Sequence, residues 1–276
     1  MKLVVASKSD IAGQNIAMKL IKENGIDETS KTFHGNPMYR LQTSSGEANL
    51  LIVQGELVKL QELSRPDEFE LIVFVSRHES RDSRPILSVH VPGNLGDAEF
   101  GGLPRKLSIA PANSMCMALK KMAEERVRLG LKEFEIYYEG THHGPSLDVP
   151  CLFVEIGSTI KEWSNSAAGT AVARAAIAAL ECSSNLVSAV GIGGSHCNRR
   201  LTRLSLESHV AFGHIIPSYH LKLLTPELIQ YCAQRMLEKD PIIVLDWKGI
   251  DGKDRDKLQK TIANLPYHVR RVAEYI

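Results

Sequence analysis

Long apolar runs are missing from this chain. No hydrophobic stretch reaches the roughly 20 residues that span a bilayer, and the opening Met1-Lys2-Leu3-Val4-Val5-Ala6-Ser7 reads as a strand rather than a secretory leader. A cytoplasmic protein with no membrane partner is the expectation. Cysteine is scarce: Cys116, Cys151, Cys182, Cys197 and Cys232 are odd in number, scattered, and include no Cys-x-x-Cys pair. That argues against a disulfide framework and for a reducing compartment. Excess charge is absent too, with 33 Lys and Arg against 32 Asp and Glu, so any contact with nucleic acid has to come from a local patch. The first strand is not followed by Gly-x-Gly-x-x-Gly, which leaves a dinucleotide site without support. The lack of a Gly-x-Ser-x-Gly elbow argues against a serine nucleophile. No repeat, low-complexity segment or long linker divides the chain, so its 276 residues read as one domain with a substantial core. With no heptad or exposed apolar stripe, a monomer is favoured over an oligomer.

The elements that are present alternate as in an α/β protein. A buried strand at 3–6 leads into a helix capped by Ser9 or Asp10, with Ile11, Ile16, Leu20 and Ile21 on one face and Gly25 at its end. Residues 29–47 are polar and read as a loop holding a weak strand. Strands follow at 49–53, 70–75 and 86–91, then a Gly/Pro-rich loop at 95–111 of the kind that lies beside a site. Asn113 is placed to cap a helix through Met115, Leu119 and Met122 to Gly130, its methionines read as packing. Asn165 opens an alanine-rich helix to about Glu181, and Thr225-Pro226-Glu227 starts another. Further strands are expected at 186–192, 211–217 and 242–246, and a last helix at 254–265. The fold class is a single α/β domain with a mixed central β-sheet flanked by helices.

Chemistry concentrates at residues 134–159. Two β-branched and aromatic runs, each about six residues long, are joined by Gly140-Thr141-His142-His143-Gly144-Pro145 and carry Glu139 and Glu155. Pairing of the two runs as a hairpin sets Glu155 opposite the end of the first and near the imidazoles. One histidine beside Gly-Pro is ordinary turn punctuation; two histidines and two glutamates around a break in the chain favour a site. The run Ser76-Arg77-His78-Glu79-Ser80 leaves a strand at its carboxyl end, where α/β proteins keep their sites, although a solvated turn has the same composition. Gly193-Gly194-Ser195-His196 leaves another strand, and Ala211-Phe212-Gly213-His214-Ile215-Ile216-Pro217 places one more histidine in a strand. Histidine and carboxylate are zinc ligands, and bound zinc lowers the pKa of its water to about 7. His142, His143, His196 and His214 are the candidate metal ligands or their neighbours, with Glu139 or Glu155 as ligand or general base and His78 next. Direct acid/base hydrolysis by a His-Glu pair remains open.

The stretches Glu139 to Pro145, Glu155-Ile156-Gly157-Ser158, Gly193 to His196 and Ala211 to Pro217 resemble the archaeal and plant type of D-aminoacyl-tRNA deacylase, as do the opening Val4 to Asp10 and Ser76-Arg77-His78. The resemblance runs in order over nearly the whole chain. It implies a phosphorylase/hydrolase-like fold, zinc dependence, and hydrolysis of the ester joining a D-amino acid to the 3′ end of tRNA. The candidate catalytic residues are Glu139, Glu155 and His78, and the candidates for substrate contact are Ser76, Arg77, Thr141, Gly193, Gly194 and Arg199. One departure stands out: the family pattern has an aromatic residue after the Gly-Gly-x-His histidine and a proline soon after, whereas this chain has Cys197, Asn198 and Arg199. Cys197 is either an added metal ligand or an inert thiol. Lys120, Lys121, Arg126, Arg128, Arg199, Arg200, Arg203, Arg270 and Arg271 are candidates for holding the acceptor end by its phosphates. Two competing readings are a zinc peptidase or amidohydrolase of small substrates, and a tRNA-binding protein with a structural metal.

Overall fold

The computed structural model describes residues 1–24 and 27–276, with the backbone alone for 27–31. In chain order the elements are β1 (Lys2–Ser7), α1 (Ile11–Asn24), β2 (Asp27–Phe33), β3 (Asn36–Thr43), β4 (Gly46–Val53), β5 (Leu71–Glu79), β6 (Ile86–His90), α2 (Ala112–Arg128), β7 (Glu135–Glu139) and β8 (Cys151–Ser158). Then come α3 (Ile160–Trp163), α4 (Ser166–Leu180), β9 (Val187–Ile192), β10 (Cys197–Asn198), α5 (Arg199–Glu207), β11 (Val210–Ile216), α6 (Pro226–Gln234), β12 (Ile242–Leu245), α7 (Gly252–Ile262) and β13 (Val269–Arg271). Nine strands form a mixed sheet in the order β10-β7-β6-β8-β5-β1-β4-β3-β2, and β11-β9-β12-β13 form a second sheet that is parallel throughout. One cluster of buried apolar side chains includes residues of both sheets and of α1, α2 and α4, so the chain is a single α/β domain.

Strand periodicity divides the labour of the large sheet. Successive side chains point to opposite faces, and residues directly opposite in register share a face. Val73, Val75, Leu87, Val89, Leu152, Val154 and Ile156 belong to the core cluster shared with the helices. Phe74 and Phe153 pack with Leu3, Val5 and Leu51 in a smaller cluster on the opposite face. Ser76 and His78 on β5, Ser88 and His90 on β6, and Glu155 on β8 continue that second face, because Ser76 and Ser88 are both in register with Glu155 and His90 with Phe153.

Several local expectations meet the structure differently. The polar segment 29–47 is not a loop: β3 pairs with β2 and β4 in an antiparallel meander, burying Met38 and Leu41 while its other side chains stay more open. The expected hairpin does not form, because β6 lies between β7 and β8, parallel to the first and antiparallel to the second. Asn113 does not cap α2. The helix starts at Ala112, and the Ala112 and Asn113 N–H groups donate to the Glu238 carboxylate at 3.0 and 2.8 Å, a partner far away in sequence. At α1 the cap is Asp10, whose Oδ1 accepts from the Gly13 N–H at 2.8 Å; the proposed stop at Gly25 lies outside the described residues. Asn165 and Thr225 cap α4 and α6 as their side chains suggest.

The seam between α1 and α4 is tight. The Asn15 amide of α1 donates to the Trp163 and Asn165 carbonyls at 2.9 Å each, and a Cβ on Gly169 would sit 2.7 Å from Asn15 Cγ. Gly169→Ala gains about 1 kcal/mol of helix propensity but overpacks this contact, which costs roughly 1–3 kcal/mol. The expected net result is a lower urea midpoint; an unchanged or raised midpoint would show that the two helices separate freely there.

Candidate active site

Five adjacent strands deliver the site. His78 is near the end of β5, Glu155 in the middle of β8, His90 at the end of β6, Glu139 at the end of β7, and His196 just before β10, whose Cys197 pairs with Glu139. His142 follows β7 and is held beside the end of β6 by an isolated bridge to Pro92. Glu139 and Glu155 are almost completely buried. The Glu139 Oε2 accepts from His196 Nε2 at 2.9 Å, and its Oε1 lies 3.0 Å from His78 Nδ1. The Glu155 Oε1 accepts from the Ser76 hydroxyl at 2.6 Å, while its Oε2 lies 3.5 Å from His90 Nε2 and 3.8 Å from His78 Nδ1.

The imidazoles fall into two electrostatic classes. Burial pulls the His78 pKa down, but the Glu139 and Glu155 carboxylates outweigh it and raise it to about 11, so this ring is a cation at neutral pH. Burial disfavours the Glu155 anion, yet His78 and His90 bring its pKa down to about 2; Glu139 is likewise held well below the carboxylate range by His78 and His196. His142 and His143 behave oppositely. Burial, reinforced by neighbouring imidazoles, holds His142 far below 6.5 and brings His143 to about 4. The His142 Nδ1 meets the Gly140 carbonyl at 2.8 Å and the His143 Nδ1 meets the Gly144 carbonyl at 2.7 Å. A carbonyl only accepts, so each Nδ1 carries the proton and each Nε2 keeps its lone pair. The His142 ring centroid lies 4.2 Å from that of His143 and 4.3 Å from that of His90. His90 is fully buried and stacked on Phe153, with no hydrogen-bond partner at either nitrogen among the described residues.

These side chains form three overlapping donor groups whose ligand atoms lie within 4.8 Å of one another: His90 with His142 and His143; His78 with Glu139 and His196; and His90 with Glu139 and Glu155. Two clefts open onto them. The larger, about 820 Å³, is lined by Ser76, Arg77, His78, Glu155 and the N-terminal end of α1; the other, about 490 Å³, by Thr141, Arg105, Tyr219 and Lys222. His142, His143, His196 and Phe100 line both.

The structure therefore gathers His78, Glu139, His142, His143, Glu155 and His196. It does not bring in His214, which lies in β11 of the second sheet, fully buried, with its Nδ1 3.2 Å from Thr141 Oγ1, and in none of the donor groups among the described residues. Ser76 and Thr141 line the larger and the smaller cleft and contact Glu155 and His214, and Arg77 lines the larger cleft with its backbone N–H on Asp10. Gly193 and Gly194 line neither cleft; Ile250, Asp246 and Asn198 pack where their side chains would be. Arg199 lies outside both clefts and pairs with Glu135. The other basic candidates are engaged as well: Lys121, Arg128, Arg200, Arg203 and Arg270 with carboxylates, Lys120 and Arg126 with backbone carbonyls, and Arg271 over Trp247. Cys197 belongs to no donor group among the described residues, and burial pushes its thiol pKa up. The departure at 197–199 has a structural use: Asn198 caps α5 through the Leu201 N–H and donates to the Gly193 carbonyl. Sequence reasoning missed His90. Its signal was polar residues at every second position of apolar strands, Ser88-x-His90 beside Ser76-x-His78.

Residues 65–270 match the family model for D-aminoacyl-tRNA deacylase. A protein of Thermococcus onnurineus named D-aminoacyl-tRNA deacylase is 39% identical over 272 residues, covering 95% of this chain and 96% of its own. One of Thermococcus kodakarensis with the same name is 40% identical over 264 residues, covering 92% and 94%. A solved crystal structure of a conserved protein of unknown function superposes with a TM-score of 0.86 at 32% identity, over 100% of this chain and 96% of the other.

The position of His214 gives a test by pH. Burial lowers its pKa from 6.5 to about 3, so between those values the unfolded chain binds a proton that the folded chain does not. The stability contributed by neutral His214 is complete above pH 6.5 and drains on acidification at up to about 1.4 kcal/mol per pH unit. His214→Gln removes this slope. Urea midpoints measured from pH 7 to pH 4.5 are expected to fall less steeply in the variant; identical slopes would mean that His214 takes up its proton within the fold.

Proposed function

The chain belongs to the D-aminoacyl-tRNA deacylase family, and from that premise we propose that it hydrolyses the ester between a D-amino acid and the terminal ribose of tRNA, using zinc held by His90, His142 and His143. The observation that carries the zinc is the donor chemistry: two neutral imidazoles have Nδ1 committed to carbonyls, which leaves Nε2 as the donor atom, beside a buried third imidazole whose nitrogens make no hydrogen bond among the described residues, with Glu155 Oε2 3.5 Å from its Nε2. That is how ligating histidines are oriented before a metal arrives. Bound there, zinc would supply a water of pKa about 7 and polarise an ester carbonyl.

The remaining roles follow from charge and position. Glu155 lines the larger cleft, is held by Ser76, and has its Oε2 turned towards the imidazoles; it takes the proton of the attacking water. His78 lines the same cleft as a cation and offsets the negative charge that develops on the carbonyl oxygen, since a fixed charge in a partly dry site needs no reorganisation during the reaction. Glu139 holds His78 and His196 in place. Hydrolysis by His78 and Glu155 without a metal is the second reading, supported by their proximity, and chelation separates it from the first.

Matched D- and L-aminoacyl-tRNA are the substrates for the test. The D-ester is expected to be cleaved and the L-ester spared, with D-activity lost after chelation and restored by zinc. Glu155→Gln should lower kcat by roughly 10²–10⁴-fold. Cleavage of both esters alike sinks the chiral reading, and full activity after exhaustive chelation sinks the zinc.

A further inference from the structure

Phe100 is a large apolar side chain left mostly in solvent, 71% exposed, on a backbone that is firmly held. The Gly144 N–H, next to His143, donates to the Phe100 carbonyl at 3.0 Å. Beyond it, Asn94 Nδ2 donates to the Gly101 and Leu103 carbonyls at 2.9 and 3.2 Å, and the Leu103 N–H donates to Ser146 Oγ at 3.0 Å. Gly101 and Gly102 both take left-handed φ values, +76° and +75°. Gly101 lies against the Val58 carbonyl and Gly102 against Ser146, Asn94 and Gly144, where no Cβ fits. An exposed apolar residue is unremarkable by itself. Here, however, the backbone fixes an open aromatic ring at the line shared by both clefts, beside His142, His143 and His196.

Resting on the proposed deacylase reading, we propose that Phe100 is the platform on which the 3′-terminal base of the tRNA stacks. The ester at the terminal ribose has to reach the histidines, so the base attached to that ribose lies within one sugar of them, and an aromatic face is the usual partner of an unpaired base. The charges of the two clefts decide between the base and the amino-acid side chain. The larger cleft carries Asp10, Glu56, Glu79 and Glu155 against Arg77 and His78, which suits the ammonium of an aminoacyl group. The other is lined by Asp97 and Glu99 as well as by Arg105 and Lys222, so its charges balance; the two cations are exposed with no side-chain partner among the described residues and can meet the phosphodiester preceding the terminal nucleoside. Phe100 stands between them.

A binding cycle tests this without relying on catalysis. Affinities of the wild type and of Phe100→Ala are measured for uncharged tRNA and for the same tRNA lacking its terminal adenosine. The expected result is a loss of roughly 5- to 100-fold for the full tRNA, recovery with Phe100→Trp, and no effect of the substitution on the truncated tRNA. Equal losses on both tRNAs, or no loss on either, overturn the proposal. In deacylation, Phe100→Ala should lower kcat/KM by a similar factor whatever amino acid is attached, and a loss that scales with amino-acid side-chain size would place the ring against the amino acid instead. Absence of D-ester cleavage by the wild type would refute the deacylase reading, and the binding cycle would still judge Phe100.

Discussion

Two carboxylates buried among imidazoles are the constraint around which this molecule is built. An ionised glutamate removed from water is costly unless opposite charge and hydrogen bonds replace what the solvent gave. Glu139 and Glu155 obtain both from His78, His196, His90 and Ser76. The pairing is mutual, since the same carboxylates make His78 a cation in a place where burial alone would neutralise it. Loss of one member leaves the others as uncompensated buried charge, so the side chains that carry the chemistry also hold part of the sheet together.

The mixed sheet supplies the platform. With β6 inserted between β7 and β8, residues far apart in sequence come into register on one face, while the alternate residues of the same strands pack against the helices. The helix-covered face thus holds the larger core, and the other face holds the chemistry beside a smaller apolar cluster. His142 and His143 reach this face from the crossover segment, where contacts with the Gly140 and Gly144 carbonyls select their tautomers. Neutral donors and fixed charges therefore stand within a few ångströms of one another, an arrangement suited to ester hydrolysis with the charge changes of the reaction distributed over preformed partners.

Two clefts meeting at one row of histidines fit a substrate with two unlike ends. An aminoacyl ester has an ammonium on one side of the reacting carbon and a nucleotide on the other; the larger cleft is lined by more carboxylates than cations, whereas the smaller one balances Asp97 and Glu99 against Arg105 and Lys222. The cations that a sequence scan would assign to RNA are paired within the protein, whereas Arg105, in a loop, and Lys222, in a short 3-10 helix, line the smaller cleft without a side-chain partner among the described residues.

The sequence by itself determined the chemical inventory and the class of fold. Polar residues inside apolar strands, caps such as Asn165 and Thr225, and the His142-His143-Gly144-Pro145 break could all be read from residue order, because each is a local effect of side-chain period or backbone freedom. Tertiary structure alone decided which imidazoles meet. His90 joins because β6 intervenes between β7 and β8; His214 stays apart because β11 belongs to the second sheet; Glu238 caps α2 from over a hundred residues away. Strand order and register arise from pairing between distant segments, which no window along the chain contains, and the reach of a side chain is fixed only when those pairings are made.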